Sequence, residues 1–360
     1  MTKDPARSVR SVRSVRSVGV DAFRGCVVLF LLVLVHVPST GWRGHAVWYG
    51  LRWSDLFFPA FLFVAGVGLA LQSRGGATWP WMRLGRRFVT LVVLGLFVNA
   101  WISGADADLG SLRVPGVLQR IALVGLVGAV VAAVVVRRRW WVALVCAGVL
   151  AFGWAGALAL ASSSCEDGRP SPDGCGTLYE VDRAVFGASH TYHSGQLGHD
   201  PEGLPSSLGG LATFLVGFGV GLLAVERRLV AIVLVGAGAL AAWPALSVLQ
   251  PLNKRLWTGS FVAFNAFWCC LLLAFLMWAL DGWRWSGLTW PVEALARNTL
   301  VVWTGIFLTQ PILARTKVGD VALGPWALDA WGAWGYLLAF GGGWWAVAMA
   351  MHAARWHVRL

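Results

Sequence analysis

Long apolar runs alternate with short polar or glycine- and proline-containing segments along most of the chain. Ten of these runs are about 20 residues long, the length at which a helix crosses a bilayer. A helix satisfies its own backbone hydrogen bonds in lipid, so the pattern predicts an all-α, polytopic membrane bundle of about ten transmembrane helices. The predicted spans are 20–38, 54–72, 87–103, 114–136, 140–161, 206–225, 229–249, 259–280, 293–313 and 332–353.

The polar segments around these runs predict the domain organisation. A basic tail over 1–18, which contains the repeat RSVRSVRSVRSV, precedes a single transmembrane domain over 19–360. The tail is either a disordered topogenic segment or a tether to anionic lipid. One long polar segment, about 162–205, is predicted to form an extracytoplasmic loop.

Arginine and lysine residues collect at the ends of alternate apolar runs, which predicts the orientation through the positive-inside rule. The basic tail and the run Arg137, Arg138 and Arg139 fall on the same side, together with a cluster near residue 85. Because ten spans return the chain to its starting side, we expect both termini in the cytoplasm of a multi-pass plasma membrane protein.

Composition narrows the classes of function. The chain is 58% hydrophobic and only 13% charged over 360 residues, which excludes an ordinary soluble domain with one core. The net charge of +12 does not indicate nucleic-acid binding, because the arginines lie at the ends of apolar runs. The 23 tryptophans fit a membrane protein as well, since indole rings favour the lipid–water interface.

Two of the six cysteines lie in the long polar loop and the other four lie within predicted spans. Cys165 and Cys175 bracket a segment rich in proline, glycine and aspartate on the predicted outer side, where disulfides form. We therefore expect a disulfide between them. Metal binding is the weaker interpretation, because the loop holds no complete tetrahedral ligand set and its three histidines have no standard zinc spacing.

The stretch GHAVWYGLRWSDLFFP, from 44 to 59, places titratable groups in a short turn on the outer side. His45 belongs to the class of side chain that acts as a general base at neutral pH, and Asp55 is suited to orient its imidazole. The alternative is an interfacial histidine beside an aspartate that caps a helix. Spacing alone does not decide between them.

Further polar residues are predicted at the same outer side. The turn DPEG, with Asp200 and Glu202, is either an ordinary helix-start signal or a binding site for an amino-sugar ammonium. Arg120 is expected to have a carboxylate or phosphate partner, because an unpaired arginine at the membrane edge is unfavourable. Asn253 and Lys254 lie in PLNKRLW.

At the inner side, arginines cluster near the start of the first span and before the third. Positive-inside topology explains all of them, and a phosphate-rich cofactor arriving from the cytoplasm would also use them. No P-loop or strand-linked GxGxxG run is present, so a nucleotide-binding fold is not indicated. The residues concerned are Arg24, Arg83, Arg86 and Arg87.

Six stretches in order resemble the heparan-α-glucosaminide N-acetyltransferase family of membrane enzymes. They are SVGVDAFRG, GHAVWYGLRWSDLFFPAFLFVAG, RVPGVLQR, DPEG, PLNKRLWTGSFV and, more weakly, ARNTLVVW. The resemblance implies an enzyme that uses cytoplasmic acetyl-CoA, without a metal, to acetylate a sugar amine on the far side of the membrane. It also implies a homodimer.

The resemblance assigns site residues as well. His45 is at the position of the family's catalytic histidine, with Asp55 nearby. The family's asparagine at the end of the first span corresponds to His36, a departure that leaves the mechanism open. The other polar positions carried over are Arg120, Asp200, Glu202 and Asn253 on the substrate side, where Lys254 is adjacent, and Asn298 on the cofactor side.

These features favour an acyltransferase, in which His45 acts either as a base in direct transfer or as an acetyl carrier. A transporter or flippase for a sugar or glycolipid is the alternative. That class predicts inverted repeats and broken helices that meet at mid-membrane, and no convincing repeat relates the two halves of the chain. A non-catalytic envelope scaffold is a third hypothesis.

Overall fold

The computed structural model describes residues 17–36, 45–73, 79–104, 108–282 and 289–358, and the description below concerns these residues. It is all-α apart from one two-residue hairpin. Seven helical segments are long and apolar enough to cross a membrane by length and composition, as expected for a polytopic membrane protein. They are Trp53–Ser73, Trp81–Ser103, Val117–Val136, Trp140–Ala161, Ser207–Val225, Leu229–Leu249 and Gly259–Asp281.

The helices before the long polar loop are α1 (Val18–His36), α2 (Phe57–Ser73), α3 (Trp81–Ser103), α4 (Val117–Val131) and α5 (Trp140–Ala161). The loop itself holds one short helix, α6 (Tyr179–Phe186). The later elements are α7 (Ser207–Val225), α8 (Leu229–Leu249), α9 (Gly259–Leu276), α10 (Trp290–Arg297), α11 (Thr299–Arg315), the hairpin strands β1 (Lys317–Val318) and β2 (Val321–Ala322), α12 (Leu323–Tyr336) and α13 (Gly342–Ala353).

The predicted spans and the observed helices agree best where a run has sharp polar borders. Helix α8 has the predicted limits, 229–249, since Arg228 precedes it and Pro251 follows it closely. The predicted span 293–313 is instead two helices, α10 and α11, because the chain leaves helical geometry at Asn298 (φ −116°, ψ 24°). A count of ten spans and the sidedness of the termini remain predictions.

Helices α2 and α7 form the centre of the bundle and pack together most extensively. Both are largely buried, with Phe63 and Phe218 fully inaccessible. Their backbones touch at two glycines: a Cβ added at Gly66 would overlap the carbonyl oxygen of Phe214, and one at Gly217 would overlap that of Phe63. Such close approach is the usual role of small residues between membrane helices.

Peripheral helices carry their apolar side chains on the outside. Helix α3 exposes Val89, Val93 and Phe97, and α8 exposes Val230 and Leu234. Outward apolar side chains suit a helix in contact with lipid, because lipid does not penalise their exposure. The core therefore lies around α2 and α7, and the rim is the expected lipid-facing surface.

The two ends of α2 define the two ends of the bundle. Asp55 lies in a short 3₁₀ turn, Trp53–Leu56, that leads into α2, and we call this end the dyad end. Ser73 ends α2 at the opposite end, where α3 begins with Trp81, and we call it the arginine end. The long polar segment between α5 and α7 covers the dyad end, and a disulfide joins Cys165 to Cys175 within it.

Candidate functional site

His45 and Asp55 meet at the dyad end. The Nδ1 atom of His45 lies 2.7 Å from Oδ1 of Asp55. The His45 side chain is 59% exposed, whereas the Asp55 carboxylate is fully buried. With Nδ1–H donating to the carboxylate, Nε2 carries the acceptor lone pair, so the pair has the geometry of a base held by a buried orienting carboxylate.

Asp55 owes its position to the turn that starts α2. One carboxylate oxygen accepts the backbone N–H groups of Arg52 at 2.9 Å and of Ala46 at 3.2 Å. The other oxygen accepts from His45 and lies 3.4 Å from the Lys254 ammonium. Both oxygens are thus fully used, which compensates for burying the charge. The carboxylate caps the turn and orients the imidazole at once, so the two roles left open by the spacing coexist.

The Lys254 ammonium lies against the His45 ring, 2.8 Å from Nδ1 and 3.1 Å from Nε2. With Nδ1–H directed to Asp55, Nε2 is the ring nitrogen that can accept a hydrogen bond from the ammonium. Lys254 therefore competes with an incoming group for the Nε2 lone pair. Burial lowers the pKa of Lys254, and the neighbouring Asp55 and Glu202 carboxylates act against that shift.

The segment that carries His45 is held from two sides. The Nε1–H of Trp48 and the hydroxyl of Tyr49 both donate to the carbonyl oxygen of Pro170, at 2.9 Å and 2.6 Å. Pro170 lies inside the loop closed by the disulfide. On the other side, the Gly50 N–H donates to the carbonyl of Leu252 at 2.9 Å, which ties the segment to the loop of Lys254.

The DPEG turn forms a second polar group at the dyad end. The Arg113 guanidinium lies 2.6 Å from both Asp200 and Glu202. Asp200 also accepts the backbone N–H groups of Tyr192 and Glu202, at 2.8 Å and 2.9 Å, so it organises the turn. The pairing of Arg113 with this turn has no local signal in the sequence, because only the fold brings Arg113 to a turn 87 residues later.

Arg120 lies beneath this turn and is 2% exposed. Its guanidinium donates to the Pro201 carbonyl and to the Ser206 hydroxyl, and lies 4.9 Å from the centroid of the Trp257 ring. The expected carboxylate or phosphate partner is therefore replaced by a carbonyl, a hydroxyl and an aromatic face. The carboxylate of Glu202 acts on it only through longer-range attraction.

Burial and neighbouring charges have opposite effects on the pKa values of the residues in this group. Burial raises the pKa of Glu202 but Arg113 and Arg120 outweigh it, so the pKa is lowered. Burial lowers the pKa of Arg113, and its two carboxylate partners raise it above the ordinary value. Asp182 differs: burial raises its pKa to about 6 even though it accepts the Leu204 N–H at 2.7 Å. Glu202 and Lys254 interact electrostatically, so the DPEG turn and the dyad form one continuous polar region.

Asn253 supports the loop of Lys254 from inside. It is fully buried, and its side-chain oxygen accepts the N–H of Leu256 at 3.0 Å while its own N–H donates to the Thr258 hydroxyl at 3.1 Å. These bonds close a tight turn that ends in α9. Asn253 therefore positions Lys254, and its side-chain nitrogen is buried without a hydrogen-bond partner within the described residues.

A cavity of about 770 Å³ opens at the arginine end and follows α2 inward. Its wall includes all four arginines expected to meet a phosphate-rich cofactor, together with Arg297. Along α2 the lining extends from Gln72 to Phe61, about 16 Å at 1.5 Å per residue. From Phe61 the dyad residue Asp55 is about 10 Å further along the chain axis. The arginines in the wall are Arg24, Arg83, Arg86, Arg87 and Arg297.

The charge in this cavity is strongly positive. Arg297 is paired with Glu293 at 2.7 Å. Within the described ranges, Arg83, Arg86 and Arg87 form no ion pair, and Asp21 is the acidic member of the cavity wall. Unpaired guanidinium groups facing a cavity are the arrangement that binds phosphates, often through two parallel hydrogen bonds.

Of two further residues expected at the site, Asn298 lies elsewhere in the fold, and the side chain of His36 lies outside the described residues. Asn298 is buried between α10 and α13, where its amide donates to the carbonyls of Ala294 and Ala348, at 3.2 Å and 3.3 Å. Its neighbours in the chain, Arg297 and Thr299, line the cavity instead. His36 is the last residue of α1, and its side chain lies outside the described residues.

No cluster of three or more histidine, cysteine, aspartate or glutamate side chains suited to a metal ion occurs in the part of the chain that the structure describes. The basic tail, 1–16, lies outside that part. The chemistry available at the dyad end is thus that of an oriented imidazole, a lysine ammonium and the arginine–carboxylate group. At the opposite end it is that of a cationic cavity.

Comparison with protein-family models finds no match. The chain is 24% identical to the human protein named heparan-alpha-glucosaminide N-acetyltransferase and 22% identical to the mouse protein of the same name. In each case the match covers 79% of this chain and 52% of the relative, so the chain spans about half the length of the curated relatives it matches. The chain is thus a distant, family-level relative of the heparan-α-glucosaminide N-acetyltransferases.

Proposed function

We propose that the protein is a transmembrane acetyltransferase, which moves an acetyl group from cytoplasmic acetyl-CoA to the amine of an extracytoplasmic sugar or glycan. The distant relationship supports the class of enzyme. The proposal includes a plasma membrane location, the arginine end in the cytoplasm and a homodimer. His45 is the base, Asp55 orients it, and the arginine cavity receives the donor.

One observation carries the proposal. The cavity starts among arginines with no ion-pair partner in the described residues and runs along α2 toward the buried partner of His45. Coenzyme A is a linear molecule with phosphates at one end and a thioester at the other. A cationic mouth and an inner part lined by apolar side chains such as Val64, Leu91 and Ile121 complement the two ends of such a ligand.

The chemistry assigned to the site is a single acyl transfer. The acceptor nitrogen attacks the thioester carbonyl carbon, the new N–C bond forms, and the C–S bond breaks to release the coenzyme thiolate. Nε2 of His45 takes the proton that the amine loses. The buried Asp55 carboxylate stabilises the imidazolium that results, as carboxylates do for catalytic histidines.

Direct transfer is favoured over an acetyl-histidine intermediate, although both use the same dyad. The imidazole is 59% exposed toward the dyad end, where an acceptor can reach Nε2 by displacing the Lys254 ammonium. The DPEG turn is beside it. Because Arg113 already holds Glu202, we expect that carboxylate to orient acceptor hydroxyl or amine groups through its remaining acceptor sites.

The decisive experiment supplies acetyl-labelled CoA to the arginine end of the protein in sealed vesicles, with glucosamine on the other side. Wild type is expected to form labelled N-acetylglucosamine, and His45→Ala is expected to lose about a thousandfold or more of the rate. His193→Ala is the matched control, because His193 lies in the polar segment that covers the dyad end and packs on Tyr192, outside the dyad.

The outcomes separate the alternatives. Equal transfer by wild type and His45→Ala removes His45 from the reaction. Labelled protein that accumulates without acceptor, and is lost in His45→Ala, supports the covalent route. Glucosamine flux that needs no CoA points to a transporter.

A further inference from the structure

A second depression, of about 550 Å³, lies at the arginine end beside the mouth of the large cavity. Helix α10 forms one side of it and the end of α13, with the residues that follow, forms the other. Arg297 and His357 belong to the walls of both spaces, so this pair is the boundary between them. The residues around the depression are Trp290, Glu293, Arg297, His352, Ala353, Arg355 and His357.

Three rings form an aromatic wall in this depression. The Trp290 ring lies 5.4 Å from that of His352, and the His352 ring lies 5.3 Å from that of His357. Trp290 is 41% exposed, so its indole offers free surface to a ligand. A planar nucleobase gains stacking energy on such a surface, and any base can do so because every base has a π-face.

The same wall holds positive charge and buried donors. Glu293 neutralises Arg297, which leaves the charge of Arg355 without an ion-pair partner within the described residues. In that part of the chain, the buried Nε of Arg297 and Nδ1 of His357 have no hydrogen-bond partner.

We propose that this depression binds the adenosine 3′-phosphate end of coenzyme A. The inference rests on the proposed function and adds a subsite to it. A linear donor with its pyrophosphate among the arginines of the large cavity passes over the boundary formed by Arg297 and His357. The adenine then stacks on Trp290, and the 3′-phosphate lies between Arg355 and His357.

Binding of three ligands tests the subsite without reference to catalysis. Coenzyme A, dephospho-coenzyme A and 4′-phosphopantetheine are titrated into detergent-purified full-length protein by calorimetry. We expect wild type to bind coenzyme A about tenfold or more tightly than dephospho-coenzyme A, because only the former carries the 3′-phosphate. Phosphopantetheine, which lacks the whole adenosine end, is expected to bind more weakly than either.

Two variants assign the effects to residues. Arg355→Ala is expected to weaken coenzyme A about tenfold and to leave dephospho-coenzyme A unchanged. Trp290→Leu is expected to weaken both nucleotides about tenfold and to leave phosphopantetheine unchanged. Arg139→Ala is the matched control, an exposed arginine at the start of α5 at the same end of the bundle, and it should change none of the three.

Each result bears on the proposal. A wild type that binds coenzyme A and dephospho-coenzyme A equally overturns the subsite while the donor assignment stands. The same holds if Arg355→Ala weakens both ligands alike, or if its effect appears only with anionic lipid present, as for a lipid headgroup site. A wild type that binds none of the three overturns the donor assignment and the subsite with it.

Discussion

The disulfide-closed loop should control how firmly the His45 segment is held. Removing the disulfide with Cys165→Ser and Cys175→Ser frees a loop that the bond closes over a sequence separation of 10. Closing a loop of that length contributes about 2.8 kcal/mol in the chain-entropy account. Pro170 lies within it, and its carbonyl is the common acceptor of Trp48 and Tyr49.

The size of the effect on His45 is bounded by those two hydrogen bonds. Each is worth about 1 kcal/mol, so the segment loses about 2 kcal/mol when the carbonyl moves away. Since 1.4 kcal/mol corresponds to a factor of ten, local opening of the segment should become about thirtyfold more frequent. The contacts with Asp55 and Leu252 remain, so the segment should loosen and not unfold.

Hydrogen exchange measures this directly. The amides of Ala46, Gly50 and Arg52 all donate hydrogen bonds from the segment and serve as reporters. Cys146→Ser removes a free thiol in α5 and is the control, for which unchanged exchange is expected. Unchanged exchange in the double variant, with both substitutions confirmed by mass spectrometry, would refute the reasoning. A parallel loss of kcat at constant KM for acetyl-CoA is expected if His45 is the base.

Three further predictions concern the dyad, the core and the loop. Asp55→Asn should keep the fold but lower transfer about a thousandfold or more, because an amide stabilises the wrong tautomer of His45. Gly217→Ala should destabilise the bundle by about 1–3 kcal/mol, since the added methyl overlaps the Phe63 carbonyl. Asp182 has its pKa raised to about 6, so its contribution to stability is present below the ordinary carboxyl pKa of 3.8 and is lost as pH rises through about 6. Asp182→Asn should remove that loss.

The measurements for these three are separate. Transfer by Asp55→Asn that equals wild type, in protein with an unchanged melting temperature, contradicts the dyad. A melting temperature of Gly217→Ala equal to that of wild type contradicts the close helix contact. For Asp182→Asn, the difference in melting temperature from wild type is followed from pH 4 to pH 7, and a constant difference contradicts the buried, protonated carboxyl.

Local patterns predict much of the bundle, because a long apolar run between polar borders has few alternatives to a membrane-spanning helix. Helix α8 is the clearest case, and α5 likewise has the limits 140–161 that its run predicts. The break at Asn298 falls in a short polar stretch, Arg297-Asn298-Thr299, which the predicted span 293–313 includes because apolar residues continue on both sides of it. That break depends on packing, in which the asparagine amide bonds to α13.

The candidate site shows the same division. His45 and Asp55 are close in the chain, so residue type and spacing suffice to pair them as candidates. Pro170 has no side-chain signal at all, and its carbonyl meets Trp48 only through a contact that spans 122 residues. Long-range geometry of that kind is set by the whole fold, and the sequence around Pro170 does not signal it.

The contact between α2 and α7 has a consequence for the choice of donor. The α2 and α7 backbones touch at Gly66 and Gly217, which holds α2 against α7. Under the proposed function, a donor anchored by its phosphates at the arginine end must reach the dyad end with its thioester. Lengthening the acyl group leaves the thioester where it is, whereas shortening the carrier arm by a few atoms withdraws it. The protein is therefore expected to discriminate between acyl carriers more sharply than between the acyl groups that they bear.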